Sequence, residues 1–101
     1  MNAEASEAIQ ILQTQLERPA LEGEVAIFPD LIDYVNAPSK SNAAALLNKL
    51  RDEGDKLVGQ EIQNPEDRGN AARRLFFVLL APYLSDSRIN ALYSAIKQDA
   101  G

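Results

Sequence analysis

The feature that most constrains the fold of this chain is a run of seven consecutive apolar residues, Leu75 to Ala81, which Pro82 ends. Seven apolar residues in a row cover every side of a helix. The uncharged stretch continues to Leu84, but its ten residues would rise only about 15 Å as a helix, against roughly 30 Å of bilayer hydrocarbon. The run therefore predicts a helix packed at the centre of a small fold, and no membrane span.

The composition favours helices over strands. Ala, Leu, Glu, Gln, Lys and Arg are frequent, whereas Thr occurs once and Val four times. Glu24–Phe28 is the segment most similar to a strand, but no second such segment exists to pair with it. Since an unpaired strand leaves backbone donors and acceptors unsatisfied, we predict a loop or an irregular helix there.

Two helices are predicted in the first third of the chain. Asn2 caps the first helix, which ends at Arg18-Pro19 because the residue before a proline is pushed out of the helical region. The second helix covers Phe28–Val35, with Pro29 at its first position and apolar residues at i, i+3, i+4 and i+7.

A third helix follows, capped by Ser39 or Ser41 and continuing through Arg51–Glu53. Glycine is a poor helix former, so we expect a break or bend near Gly54. Gly59 also weakens a continuation, although Leu57, Val58 and Ile62 would extend the apolar face of the third helix.

The last two helices have clear boundaries. Asn64 offers a cap and Pro65 suits the first helical position, and Pro82 ends this fourth helix. Ser85 or Asp86 caps the fifth helix. No long linker interrupts the sequence, so we predict that residues 1–101 form one all-α domain, a compact bundle or orthogonal array of about five short helices.

The side-chain inventory argues against an enzyme. The chain has no histidine and no cysteine, which removes the commonest general base, the thiolate nucleophile and the best ligands for zinc. The acidic clusters lie at predicted helix starts or at glycine turns, where capping and solubility explain them. The five glycines are scattered and form no phosphate-binding loop. We therefore expect no catalytic residue, no cofactor and no metal ion.

The net charge of −5 is unevenly distributed. Residues 1–38 carry seven acids and one base, whereas residues 71–101 carry two acids and four bases. This asymmetry creates a dipolar surface that steers a partner, or it means that the two ends of the chain pack together. The N-terminal sequence is acidic and unlike a secretory signal, so we expect a cytoplasmic location.

The apolar run also suggests how the protein acts. If one side of its helix is not covered by the chain's own fold, that side is an interface for another protein or for a second copy in a homodimer. We predict a non-enzymatic interaction module, such as a subunit, adaptor, secretion-type chaperone or small regulator of a larger complex. The predicted partner-binding residues are three apolar anchors and two rim cations, namely Phe77, Leu80, Tyr83, Arg73 and Arg74.

A helix-turn-helix DNA-binding regulator is the alternative. The last helix would present Arg88, Asn90, Ser94, Lys97 and Gln98 to the major groove. The net charge of −5 makes binding to nucleic acid unfavourable, because such proteins depend on neutralising phosphates.

Overall fold

Five α-helices make up the computed structural model of this protein, which describes residues 2–16, 27–60 and 62–101. In chain order they are α1 (Ala3–Gln15), α2 (Phe28–Asn36), α3 (Lys40–Val58), α4 (Pro65–Leu80) and α5 (Asp86–Ala100). No strand occurs among these described residues. The prediction of an all-α fold with about five short helices is confirmed.

Two boundary predictions fall wholly or partly on other residues. The predicted end of the first helix at Arg18-Pro19 lies outside the described residues. Of Glu24–Phe28, only Ile27 and Phe28 are described. Ile27 is the residue before α2, and Phe28 is its first residue.

Four of the helices begin at the polar residues that the sequence suggests. The Asn2 side chain accepts a hydrogen bond from the Ala5 amide at 2.8 Å, and the Asn64 side chain accepts one from the Glu66 amide at 2.9 Å. Each bond satisfies an amide that has no partner within the first turn of its helix.

The two choices left open by the sequence are settled by the same kind of bond. The Ser39 hydroxyl accepts from the Asn42 amide at 3.2 Å, so Ser39 caps α3, and Ser85 caps α5. α2 differs, because its N-cap is Ile27, which makes no side-chain bond. Pro29 is therefore the second residue of α2, one position later than predicted.

Of the break or bend expected near Gly54, the break is absent, and that part of the prediction is wrong. α3 continues through Gly54 to Val58 and ends at Gly59, whose positive φ of 82° closes the helix in the left-handed region that glycine adopts without strain. Gly54 is buried against α4, where the backbone and side chain of Ala71–Ala72 approach it closely. Packing between two helices outweighs the low helix propensity of one glycine.

All five helices contribute to one hydrophobic core. α5 packs against α1, α3 and α4, while α3 also packs against α2 and α4. The Cα radius of gyration is 12.8 Å, close to the value of about 13 Å expected for a compact chain of this length. The largest side chains that are almost fully buried include Tyr34, Phe76, Leu12, Leu46 and Leu92.

The two ends of the chain meet in this arrangement. The Arg88 guanidinium on α5 lies 3.1 Å from the Glu7 carboxylate on α1, and the neighbouring Ser87 hydroxyl donates to Glu4. Acids near the N-terminus therefore lie beside polar and basic groups of the last helix. This contact accounts for part of the charge asymmetry in the sequence.

Candidate functional site

The five predicted partner-binding residues do not share one environment. Leu80 is fully buried in the core, at 0% exposure, so it is not available as an anchor on the surface of the folded chain. Phe77 and Tyr83 are half-buried and pack against the same core. Only Arg73 and Arg74 are exposed. The alternative that the sequence left open, burial within the chain's own fold, holds for Leu80.

Arg73 lies over the aromatic side of α4. Its guanidinium carbon is 4.7 Å from the centre of the Phe77 ring, which is the geometry of a cation–π contact. The same guanidinium donates a hydrogen bond to the Asn90 side chain on α5 at 2.9 Å. Arg73 thus helps to cover Phe77 and links α4 to α5, instead of standing at the edge of an open surface.

Arg74, the next residue along α4, lines an apolar groove between α4 and the second half of α3. The groove has a volume of about 240 Å³. Gly54 of α3 lies against Ala71 of α4, with 3.6 Å between the Ala71 Cβ and an ideal Cβ on Gly54. The residues that line the groove are Gly54, Leu57, Val58, Ala71, Arg74, Leu75 and Val78. We call this feature the α3–α4 groove.

The exposed apolar side chains converge on this groove. Across the part of the chain that the structure describes, three large hydrophobic residues are exposed: Leu57 at 73%, Val58 at 54% and Val78 at 67%. All three line the α3–α4 groove. Scattered single apolar residues are normal on a protein surface, but a cluster of them in one concave place marks an interaction site.

Sequence reasoning missed these three residues as a group. Val78 lies inside the apolar run, and nothing in the sequence says which side of that helix its neighbours leave open. Leu57 and Val58 were expected to extend the apolar face of the third helix. The expected break at Gly54 obscured their position, because an uninterrupted α3 brings them beside Val78.

The charges around the groove differ in how they are paired. At the same end of α3, Lys56 pairs with Glu53 at 3.1 Å, and Arg68 pairs with both Asp52 and Asp55 at 2.9 and 3.0 Å. Arg74 takes part in none of the ion pairs found within residues 2–16, 27–60 and 62–101. The groove therefore combines an apolar surface with one cation whose charge is not matched by a described neighbour.

The lining of the groove is apolar apart from one charged side chain. Among the described residues that line it, Arg74 is the only one with an ionisable side chain. Among the described residues, no group of three or more acidic side chains is placed to hold a metal ion.

Among the described residues, the titratable group with the largest pKa shift is Tyr34 on α2, away from the groove. The fully buried Tyr34 hydroxyl donates a hydrogen bond of 2.6 Å to the Asp99 carboxylate. Burial raises the pKa of Tyr34 well above its ordinary value, and the bond to the Asp99 carboxylate raises it further. The pair satisfies a buried polar group and joins two helices, which is a structural role.

The surface proposed for reading DNA is partly engaged within the chain. Arg88 is paired with Glu7, and Asn90 accepts the hydrogen bond from Arg73. The ammonium group of Lys97 lies 6.0 Å from the centre of the Tyr93 ring. These contacts draw three of the five predicted base-reading side chains onto the protein itself, so the geometry does not favour a DNA-binding surface on α5.

No helix in the described ranges has both the length and the apolar character needed to cross a bilayer. Comparison with protein-family models finds no match, and neither the curated proteins nor the solved structures include a significant match to this chain.

Proposed function

We propose that this protein is a non-enzymatic interaction module that binds another protein through the α3–α4 groove. The observation that carries the proposal is the convergence of Leu57, Val58 and Val78, all more than half exposed, in one concave apolar surface. The roles that fit are those expected from the sequence: a subunit, an adaptor, a secretion-type chaperone or a small regulator within a larger complex. The cytoplasmic location remains part of the proposal.

Exposed apolar surface is unfavourable in water by roughly 25 cal/mol per Å². A chain of 101 residues has little apolar material to spare, because a small domain buries only about 60–70% of its unfolded surface. Leaving three large aliphatic side chains in one open groove adds nothing to folding. A partner that covers the groove would turn this apolar area into binding free energy.

The proposed binding site lies at a different position around α4 from the site predicted from the sequence. Arg74 keeps its predicted place at the rim. Val78 and Leu57 replace Leu80, which is buried, and Phe77, which Arg73 partly covers. Tyr83 packs against the core, outside the lining of the groove.

Affinity capture from an extract of the source cells tests the proposal, provided that it is compared across matched variants. Val78→Asp places a charge in the groove, and Ala45→Asp places the same charge at an exposed position of α3 outside it. We expect quantitative mass spectrometry to show proteins retained equally by the wild type and Ala45→Asp, and reduced more than tenfold with Val78→Asp.

Retention that is equal for the wild type and Val78→Asp would refute the groove as the site. Retention of nucleic acid by the wild type, weakening steeply as salt rises, would instead favour the DNA-binding alternative. Circular dichroism and thermal unfolding of both variants confirm that neither effect comes from loss of the fold.

A further inference from the structure

We infer that the partner of the α3–α4 groove is a single amphipathic helix that carries an acidic residue beside its apolar anchors. This inference rests on the proposed function and specifies the chemistry of the partner. Three properties of the groove support it: its size, its position between two helices, and the cation in its lining.

The size of the groove argues against two other occupants. Its volume of about 240 Å³ lies below the range of roughly 300–1,000 Å³ typical of small-molecule pockets. A stable interface between two folded chains takes about 800 Å² and roughly 20–30 residues from each partner. Seven described residues line the groove, and three of them are exposed large apolar residues, so the groove alone is too small for a second copy of this chain. A few side chains projecting from one segment fit it.

The position of the groove favours a helical segment. Its two walls are α3 and α4, and a third helix packs into such a space by placing its ridges of side chains between those of its neighbours. No strand is present in the described ranges, so no sheet edge is available there to pair with an extended peptide. A helix in this groove presents anchors at i, i+3 or i+4, and i+7.

The positive charge of Arg74 favours an acidic residue on the partner helix. Arg74 lies in a lining that is otherwise apolar, and no described carboxylate pairs with it. Covering the groove removes water from around the guanidinium. A carboxylate on the partner, placed about one turn from an apolar anchor, supplies the hydrogen-bond acceptor that the guanidinium then requires.

Selection from a displayed library of random peptides of about 16 residues, a length that allows a helix to form on binding, tests the inference. The wild-type protein is the bait. Peptides that also bind the Val78→Asp variant are discarded, because they bind outside the α3–α4 groove. We expect the enriched peptides to share apolar residues at helical spacing together with an aspartate or glutamate. A synthetic peptide of the enriched sequence should gain helical circular dichroism when it binds.

Two neighbouring arginines provide the matched control for charge. Arg74→Glu should lower the affinity for the acidic peptide by about fivefold or more. It should raise the affinity for a version of the peptide in which lysine replaces the acidic residue. Arg73→Glu makes the same charge change outside the groove and should alter the affinity by less than about twofold.

Enriched peptides without an acidic residue, peptides that bind in an extended form, or a selection that yields no groove-dependent binder would each overturn the inference. A dimer that sedimentation detects in the wild type and that Val78→Asp abolishes would overturn it in favour of a second copy. If Val78→Asp abolishes capture from extract but the selection gives no acidic helical peptide, the groove is the binding site and only the inferred chemistry of the partner is wrong. If capture does not depend on Val78, both proposals fail.

Discussion

The surroundings of Tyr34 and the α3–α4 groove treat their large side chains in opposite ways. Tyr34 of α2 is fully buried, and its hydroxyl donates a hydrogen bond to Asp99 of α5. In the groove, Leu57 and Val78 remain largely exposed. Folding free energy explains the first arrangement and gains nothing from the second. The exposed side chains of the groove are therefore available for contact with a partner.

Replacing the buried aromatic should cause the largest loss of stability. Tyr34→Ala removes the ring from the core and leaves a cavity, and we expect the free energy of unfolding to fall by about 3–5 kcal/mol. That is a large fraction of the roughly 5–15 kcal/mol available to a natural domain. Urea denaturation measures the change. A loss below about 1 kcal/mol would contradict the complete burial of Tyr34.

The hydroxyl of Tyr34 should make stability depend on alkaline pH. The pKa of Tyr34 is raised in the folded protein, so its stabilising effect is fully present below the unfolded pKa of about 10. As pH rises above about 10, the unfolded chain loses the tyrosine proton before the folded protein does, and stability falls.

Tyr34→Phe is the matched control for this pH effect, because it keeps the ring and removes the ionisable group. Burial also raises the pKa of Tyr93, so the variant should retain part of the alkaline decline. We expect Tyr34→Phe to lose about 1–2 kcal/mol at neutral pH and to decline less steeply above pH 10. Identical slopes for the wild type and the variant would contradict the raised pKa of Tyr34.

The sequence predicts the fold well because local signals agree with one another. The polar residues Asn2, Ser39, Asn64 and Ser85 cap the starts of α1, α3, α4 and α5. Pro82 follows the end of α4. These effects act over three or four residues, so they can be recognised without knowledge of the tertiary structure.

The groove could not be predicted in the same way. Its members come from residues 54–58 and 71–78, and their exposure depends on how α3 and α4 approach each other. Gly54 illustrates the difficulty, because a residue that lowers helix propensity is buried inside α3, where it packs against α4 at ordinary contact distance. Local propensity indicates a break there, whereas the packed structure keeps the helix continuous.

Gly54 within α3 and Gly59 at its C-cap should respond to alanine in opposite directions. Gly59 has a positive φ, so Gly59→Ala should cost about 1 kcal/mol even though nothing lies near its Cβ position. Gly54→Ala should raise stability by about 0.5–1 kcal/mol, because its Cβ meets Ala71 only at ordinary contact distance and alanine is the better helix former.

Gly69→Ala serves as the control for helix propensity alone, since no atom lies within 4 Å of its Cβ position. We expect Gly69→Ala to raise the free energy of unfolding by as much as Gly54→Ala does. Thermal and urea unfolding of the three variants test this. A loss at Gly54 with a gain at Gly69 would mean that α3 and α4 approach each other more closely than the structure shows, leaving less room in the floor of the groove.

The smallest effect on stability should come from the groove itself. Val78→Ser and Leu57→Gln replace exposed apolar side chains by polar ones of similar helix propensity, so the free energy of unfolding should stay within about 0.5 kcal/mol of the wild type. Capture of the partner should nevertheless fall, because the same side chains supply its apolar contacts. A destabilisation above about 1 kcal/mol would mean that these residues are covered by the chain's own fold. The contrast with Tyr34 would then disappear, and with it the reason to place a partner in the groove.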